Sequence, residues 1–201
     1  MKIVLASKNK HKLEEISKIT ERFGFELVLQ SELGIDLDVE ENGCSFEENS
    51  LIKAEAVMKA TGLPALADDS GICVEALNGE PGIYSARYGF DESLDDWGRL
   101  QLLLKNMEAV PDGQRQAKFV CVITMITPNG KVIQARGEIH GELLREARGE
   151  NGFGYDPIFY YPPYGVTTAE MSAEDKNQVS HRANALKIFN EKLKEAGYAD
   201  K

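Results

Sequence analysis

Four stretches of the chain combine residue types that suit metal and phosphate chemistry. Ala67-Asp68-Asp69-Ser70-Gly71 sets two adjacent carboxylates before a small, flexible pair. Adjacent carboxylates repel, so a cation or a proton must settle them. Hard oxygen ligands suit Mg2+, which binds through one or two carboxylates together with substrate phosphates. The same residues also fit a plain Asp-Ser-Gly turn. Ser7-Lys8-Asn9-Lys10-His11-Lys12 offers a hydroxyl, an amide and three ammonium groups. A polar turn between a strand and a helix presents free backbone N–H groups and a helix dipole to an anion. This run lacks the GxxxxGK[ST] pattern of a P-loop, and it also fits a solvated basic first turn.

Gly152-Phe153-Gly154-Tyr155-Asp156-Pro157 is the third stretch. Phe153 and Tyr155 can stack on a purine, and Gly154 lets the backbone approach a base edge. Such a loop can equally pack on a core. The fourth is the late basic cluster of Lys176, His181 and Arg182. On one continuous helix Lys176 and His181 would stand about 140° apart and could not share a ligand. The final helix is therefore expected to start near Ser180, a good N-cap, with Lys176 on the preceding loop. Together the four stretches suit a nucleoside triphosphate with Mg2+.

The elements that must position these groups follow from hydrophobic spacing. Residues 2–6 form a short apolar run, a buried strand. Leu13, Ile16, Ile19 and Phe23 make a helix face that Gly24 ends. Residues 25–29 are the next strand, so the chain opens as an α/β fold. Residues 30–44 read as an acidic loop. Ser45 and Glu48 have capping-box spacing, which predicts a helix from about Phe46 to Thr61, closed by Gly62 and Pro64. Pro64 to Asp68 is expected as a strand stopping at the acids, and 72–77 as another. Residues 78–90 read as a loop, and 93–107 as a helix capped by Ser93 or Asp95, with Leu100, Leu103 and Leu104 in the core. Residues 117–127 are apolar on both pleat faces, a central strand, and Pro128-Asn129-Gly130 turns it into a hairpin partner. Residues 149–165 hold too much Gly, Pro and Tyr for a regular element. Val179, Ala183, Leu186, Phe189 and Leu193 line one face of the last helix.

The 201 residues carry a formal net charge of -10, which argues against broad nucleic-acid binding, since that needs a basic stripe. A local basic pocket can still oppose the global field for a small anionic ligand. Hydrophobic residues at 42% and charged residues at 28% are an ordinary soluble balance. Cys44, Cys73 and Cys121 show no metal-binding spacing, so reduced thiols and a cytosolic protein are expected. No segment has the apolar length of a signal peptide or a membrane span.

In order, the motifs resemble those of the inosine/xanthosine triphosphate pyrophosphatase family, the Ham-type non-canonical purine NTP pyrophosphatases. SKNKHK resembles the family's [ST]-x-N-x-x-K, and EENGCSFEENSLIKA its E-[TN]-G-x-[ST]-F-x-x-N-A-x-x-K-A. ADDSG, PGIYSARY, GFGYDPIF and AEMSAEDKNQVSHRANAL complete the series. The resemblance runs from Ile3 to about Leu193. It departs at Ser7, where Thr is frequent, at Asn42, where Thr is common, and at Ser50, where Ala is common.

The resemblance implies a long mixed central sheet flanked by helices, a single domain over 1–201 made of two lobes with a deep cleft, and a homodimer. It implies Mg2+-dependent hydrolysis of a purine nucleoside triphosphate to the monophosphate and pyrophosphate. Residue by residue, it implies that Ser7, Lys8, Asn9, Lys10, His11 and Lys12 bind the triphosphate. Glu41 and Asp69 would hold Mg2+ with Asp68 beside them, and Asp69 would also be the general base. Lys53 would reach the phosphates and Ser70 the substrate. Phe153, Gly154, Tyr155, Asp156, Lys176, His181 and Arg182 would form the nucleoside pocket, with Arg87 a further substrate contact. Glu41 and Lys53 enter only through the resemblance. Two other readings use the same residues: a nucleotide-binding sensor without catalysis, and a nucleic-acid-binding module that the charge disfavours.

Overall fold

A computed structural model of the chain describes residues 1–7 and 10–198, the side chains at 10, 11, 15, 18 and 19 excepted. Its elements are β1 (Lys2–Leu5), α1 (Lys10–Thr20), β2 (Glu26–Leu29), α2 (Phe46–Thr61), β3 (Ala65–Val74) and α3 (Asp96–Asn106). They continue as β4 (Gln116–Ile126), β5 (Val132–Leu143), β6 (Phe159–Tyr161), β7 (Val166–Thr167), α4 (Ala173–Val179) and α5 (His181–Glu195). The strands form one mixed seven-stranded sheet in the order β2-β1-β3-β4-β5-β6-β7, flanked by helices. β1 runs parallel to β2 and β3, whereas β6 runs antiparallel to β5 and β7. The strand that is apolar on both faces, β4, takes the middle position, where both its faces are covered.

The chain divides into two compact units: Met1–Asp69 with Cys121–Gly137 and Asn184–Lys201, and Ser70–Val120 with Glu138–Ala183. In the first unit, strand alternation sorts the core into two layers. Ile3, Leu5 and Leu66 face Ile16 of α1 and Ala185, Leu186 and Phe189 of α5. Val4, Ala65 and Ala67 face Ala54 and Val57 of α2. In the second unit Ile72, Val74, Leu100, Leu103, Phe119, Ile139 and Phe159 pack together. Buried Arg115 sits there too. Its guanidinium donates to the carbonyls of Leu143 (2.8 Å), Met107 (2.6 Å) and Leu144 (3.1 Å), so the charge carries its hydrogen bonds with it.

The caps follow the sequence closely. Ser45 Oγ accepts from the Glu48 N–H at 3.1 Å, and Gly62 closes α2 in the left-handed region with φ 67°. Asp95, one of the two caps anticipated, caps α3 through the Gly98 N–H at 2.8 Å.

Three expectations are corrected. The acids do not end a strand: β3 continues through Asp68, Asp69, Ser70 and Gly71 to Val74, and 75–77 is a 3-10 turn. An Asx turn needs a carboxylate oxygen to bond the backbone two residues on. Here Asp68 Oδ1 and Asp69 Oδ1 accept from lysines instead, and the chain stays extended. Lys176 is not on a loop but on α4, which Ser172 caps through the Asp175 N–H at 3.0 Å. The helix break at Ser180 is where it was expected, with Ser180 Oγ accepting from the Ala183 N–H at 3.2 Å. Finally, 149–165 contains a 3-10 turn at Asp156–Ile158 and the strand β6, since Phe159 finds a ladder partner in Leu143.

Candidate active site

Asp68 and Asp69 are successive residues of one strand, so their side chains leave opposite faces. Asp68 follows Leu66 onto the α1 face, and Asp69 follows Ala67 onto the α2 face. Each therefore meets a different lysine. Lys12, in the first turns of α1, donates to Asp68 Oδ1 at 2.9 Å. Lys53, in the middle of α2, donates to Asp69 Oδ1 at 3.0 Å. Lys53 also pairs with Glu41 Oε1 at 2.6 Å. The mutual repulsion expected of the two neighbours is thus relieved by separation and by two ammonium groups.

Glu41, Lys53 and Asp69 form the electrostatic centre of the first unit. Asp69 is 6% exposed, and its Oδ2 is buried without a hydrogen-bond partner among the described residues. Burial raises its pKa, and the nearby Glu41 charge adds to the rise, while Lys53 pulls the other way. Burial alone would depress Lys53. The Asp69, Asp68 and Glu41 charges outweigh it and raise its pKa, so the ammonium is firmly held.

A hard divalent cation fits this donor set. Asp69 Oδ2 is an orphaned carboxylate oxygen, and Glu41 stands on the same ammonium. Among the described residues no group of three His, Cys, Asp or Glu side chains is gathered as a metal cage. One or two carboxylates are enough for a hard divalent cation where substrate phosphates complete its shell. Asp68 accepts from Lys12, and its charge also acts on Lys53 and Asp69. Ser7 is half-buried after β1. Lys8 and Asn9 lie outside the described residues, as do the side chains of Lys10 and His11.

The second unit gathers the aromatic loop and the late basic cluster. Asp156 is 3% exposed. Its Oδ2 accepts from the Phe153 N–H at 2.9 Å and from Lys176 Nζ, and its Oδ1 from Thr168 Oγ1 at 2.8 Å. Asp156 thus folds the loop around itself. Tyr155 is a core residue whose hydroxyl donates to the Ser85 carbonyl at 2.8 Å, and burial raises its pKa strongly. Phe153, by contrast, is 60% exposed, with Lys176 Nζ 5.4 Å from its ring centre. Of the two aromatics expected to stack on a base, Phe153 is the one that presents its ring. Gly154 has φ 59°, a conformation that favours glycine.

His181 and Arg182 open α5 and are both nearly buried. The His181 ring stacks on Phe119 with centroids 5.0 Å apart. Ser70 is half-buried on β3, and Arg87 lies over the Tyr84 ring at 5.4 Å.

Several participants escaped the reading of the residues. Glu41 and Lys53 carry no spacing signal of their own, because their pairing joins a loop to a helix. Ser85, which accepts from the Ile72 N–H at 2.8 Å, and Thr168, which holds Asp156, were not singled out. The departure at Ser50 also has a partner: its Oγ lies 2.6 Å from Thr124 Oγ1, to which Gln134 donates at 2.8 Å.

A model of the Ham1 family matches residues 3–192. A dITP/XTP pyrophosphatase of Haemophilus ducreyi is 50% identical over 196 residues, covering 96% of this chain and 98% of the relative. A dITP/XTP pyrophosphatase of Escherichia coli strain K12 is 44% identical over 195 residues, with 96% and 98% covered. The solved structure of the Staphylococcus aureus Ham1 protein superposes with a TM-score of 0.90 at 43% identity, covering 98% of this chain and all of that one.

Proposed function

The chain belongs to the Ham1 family, and from that premise we infer that it is a nucleoside triphosphate pyrophosphohydrolase acting on ITP, dITP and XTP. One water is consumed, the α–β anhydride bond breaks, and the monophosphate and pyrophosphate are released. The observation that carries the reading is the Glu41–Lys53–Asp69 chain, with its unpaired buried carboxylate oxygen.

We assign the first unit's residues to the phosphates and metal. Phosphoryl transfer needs positioning and charge neutralisation more than covalent chemistry. Lys12 and Lys53, with Ser7, Lys8, Asn9, Lys10 and His11, supply positive charge and donors to the triphosphate. Glu41 and Asp69 would hold Mg2+, which when bound neutralises phosphate oxygens and lowers the pKa of a water. Asp69 orients the attacking water and takes its proton. A carboxylate whose pKa is raised by burial is a better base near neutral pH than an exposed one.

We assign the second unit's residues to the nucleoside. Phe153 offers the stacking face, and Asp156 with Lys176 fixes the loop that carries it. Hypoxanthine and xanthine present a 6-oxo acceptor where adenine presents a 6-amino donor. Donors from Arg182, His181 or the backbone of 153–156 welcome the oxo group and leave the adenine amine facing donors. Among the described residues no helix is long and apolar enough to cross a membrane. A cytoplasmic homodimer that sanitises the nucleotide pool completes the reading.

A turnover screen of ITP, dITP, XTP, ATP and GTP with Mg2+, scoring pyrophosphate against orthophosphate, tests it. Pyrophosphate from the first three, with ATP and GTP slow, is the expected result. Binding of ITP without release of pyrophosphate would turn the reading to a sensor.

A further inference from the structure

One buried polar side chain beside the Glu41–Lys53–Asp69 chain has no part in the mechanism above. Asn49 is 0% exposed and lies four residues before Lys53 on α2, so the two side chains leave the helix on the same side. Its Oδ1 accepts the Gly43 N–H at 2.9 Å. Its Nδ2 is buried without a hydrogen-bond partner among the described residues. A buried donor left unpaired is destabilising. What the amide does in the fold is done by its oxygen, which holds a turn.

The turn is built to be held. A Cβ at Gly43 would stand 2.7 Å from Asn49 Oδ1 and 2.7 Å from Glu48 Cβ, so only glycine lets the backbone approach α2 this closely. The next N–H, that of Cys44, donates to Glu48 Oε2 at 2.6 Å. Two successive amides of the loop are therefore fixed to side chains from the first turn of α2. Glu41 is two residues upstream and meets Lys53 at 2.6 Å.

We propose that Asn49 is a positioning residue for Glu41: its carboxamide pins the 43–44 turn to α2 and so holds the Glu41 carboxylate beside Lys53 and Asp69. The proposal rests on the reading of Glu41 as a metal ligand. Outer groups that orient ligands typically contribute about 10–100-fold to metal affinity.

The test is titration of Mn2+ into the full chain, read from the paramagnetic signal of the free ion, which does not depend on turnover. Glu41→Gln and Asn49→Ala should each weaken Mn2+ binding about tenfold or more. Gly43→Ala should do the same, because its Cβ would crowd Asn49 Oδ1 and Glu48 Cβ and push the turn off α2 with the Asn49 amide still in place. Ser50→Ala is the control. It removes a buried hydrogen bond from the same helical turn and should lower the melting temperature while leaving Mn2+ affinity within about twofold. In turnover, Asn49→Ala should raise the Mg2+ half-saturation more than the KM for ITP at saturating Mg2+. If Glu41→Gln weakens Mn2+ but Asn49→Ala and Gly43→Ala do not, Glu41 is a ligand that needs no such latch, and the proposal falls alone. Equal losses in Ser50→Ala and Asn49→Ala would also overturn it, by showing a general effect of helix stability. If Glu41→Gln binds Mn2+ like the parent chain, the assignment of Glu41 falls and takes the proposal with it.

Discussion

Asp69 is a buried acid whose pKa is raised, chiefly by loss of hydration. The native state therefore keeps its proton to higher pH than the unfolded chain does. What the protonated acid adds to stability is complete below the ordinary carboxylate pKa, about 3.9, and is lost as pH rises through the raised native value. At neutral pH the ionised side chain is a net cost to the fold. On the proposed role of Asp69 as base, Asp69→Asn should lose turnover by about a thousandfold or more. In metal-free buffer at pH 7 the same variant should melt no lower than the parent chain, and the difference should shrink towards pH 4. Calorimetry across pH 4–8 beside a pyrophosphate assay checks both halves. A clearly lower melting temperature at pH 7 would mean that the Lys53 ion pair outweighs the desolvation cost.

The site elements differ in what holds them. α2 presents Lys53 and Asn49 from a helix that is capped at both ends, so its stability should respond to the cap. Ser45→Ala should cost about 1 kcal/mol and Ser45→Gly only a few tenths, as the urea midpoint would show. The 152–157 loop is held from within. Gly152 has φ 77°, and a Cβ there would stand 2.2 Å from Asp156 Oδ2 and 2.9 Å from Lys176 Nζ. Gly152→Ala should therefore part the Asp156–Lys176 pair, cost about 1–3 kcal/mol, and raise the KM for ITP more than it lowers kcat. A normal KM in a stable Gly152→Ala variant would remove this loop from the nucleoside assignment.

At the scale of the molecule, three strands belong to both compact units. β3 passes from one to the other after Asp69, β4 after Val120 and β5 after Gly137. Fraying at one end of a shared strand weakens the ladder beyond it, so the ends of such a strand should open together. Amide exchange under native conditions should give Leu66 and Ile72, at opposite ends of β3, the same opening free energy within about 1 kcal/mol. Widely different values would show the units opening independently. Net charge acts at this scale too. At -10 the chain repels polyanions at long range, so on the proposed reading local ammonium groups such as Lys12 and Lys53 would have to capture the triphosphate.

Local chemistry by itself determined much of this protein. Ser45 and Gly62 bound α2, Pro128-Asn129-Gly130 turned a hairpin, and Ser180 broke the last helix, because capping and turning depend on a few neighbouring backbone groups. Ordered motifs carried the family and, with it, Glu41 and Lys53. Tertiary structure alone decided which groups meet. Asp68 and Asp69 read as a pair at a strand end, yet alternation in an uninterrupted β3 sends one to α1 and the other to α2. Phe153 and Tyr155 read as equals, yet one ring is exposed and the other is sealed in a core. Asn49 stands in the quoted motif, but nothing there says what it does, since a buried amide's part is read from the turn it grips. Each of these outcomes depends on residues distant in sequence that packing brings together, and neither spacing nor composition records them.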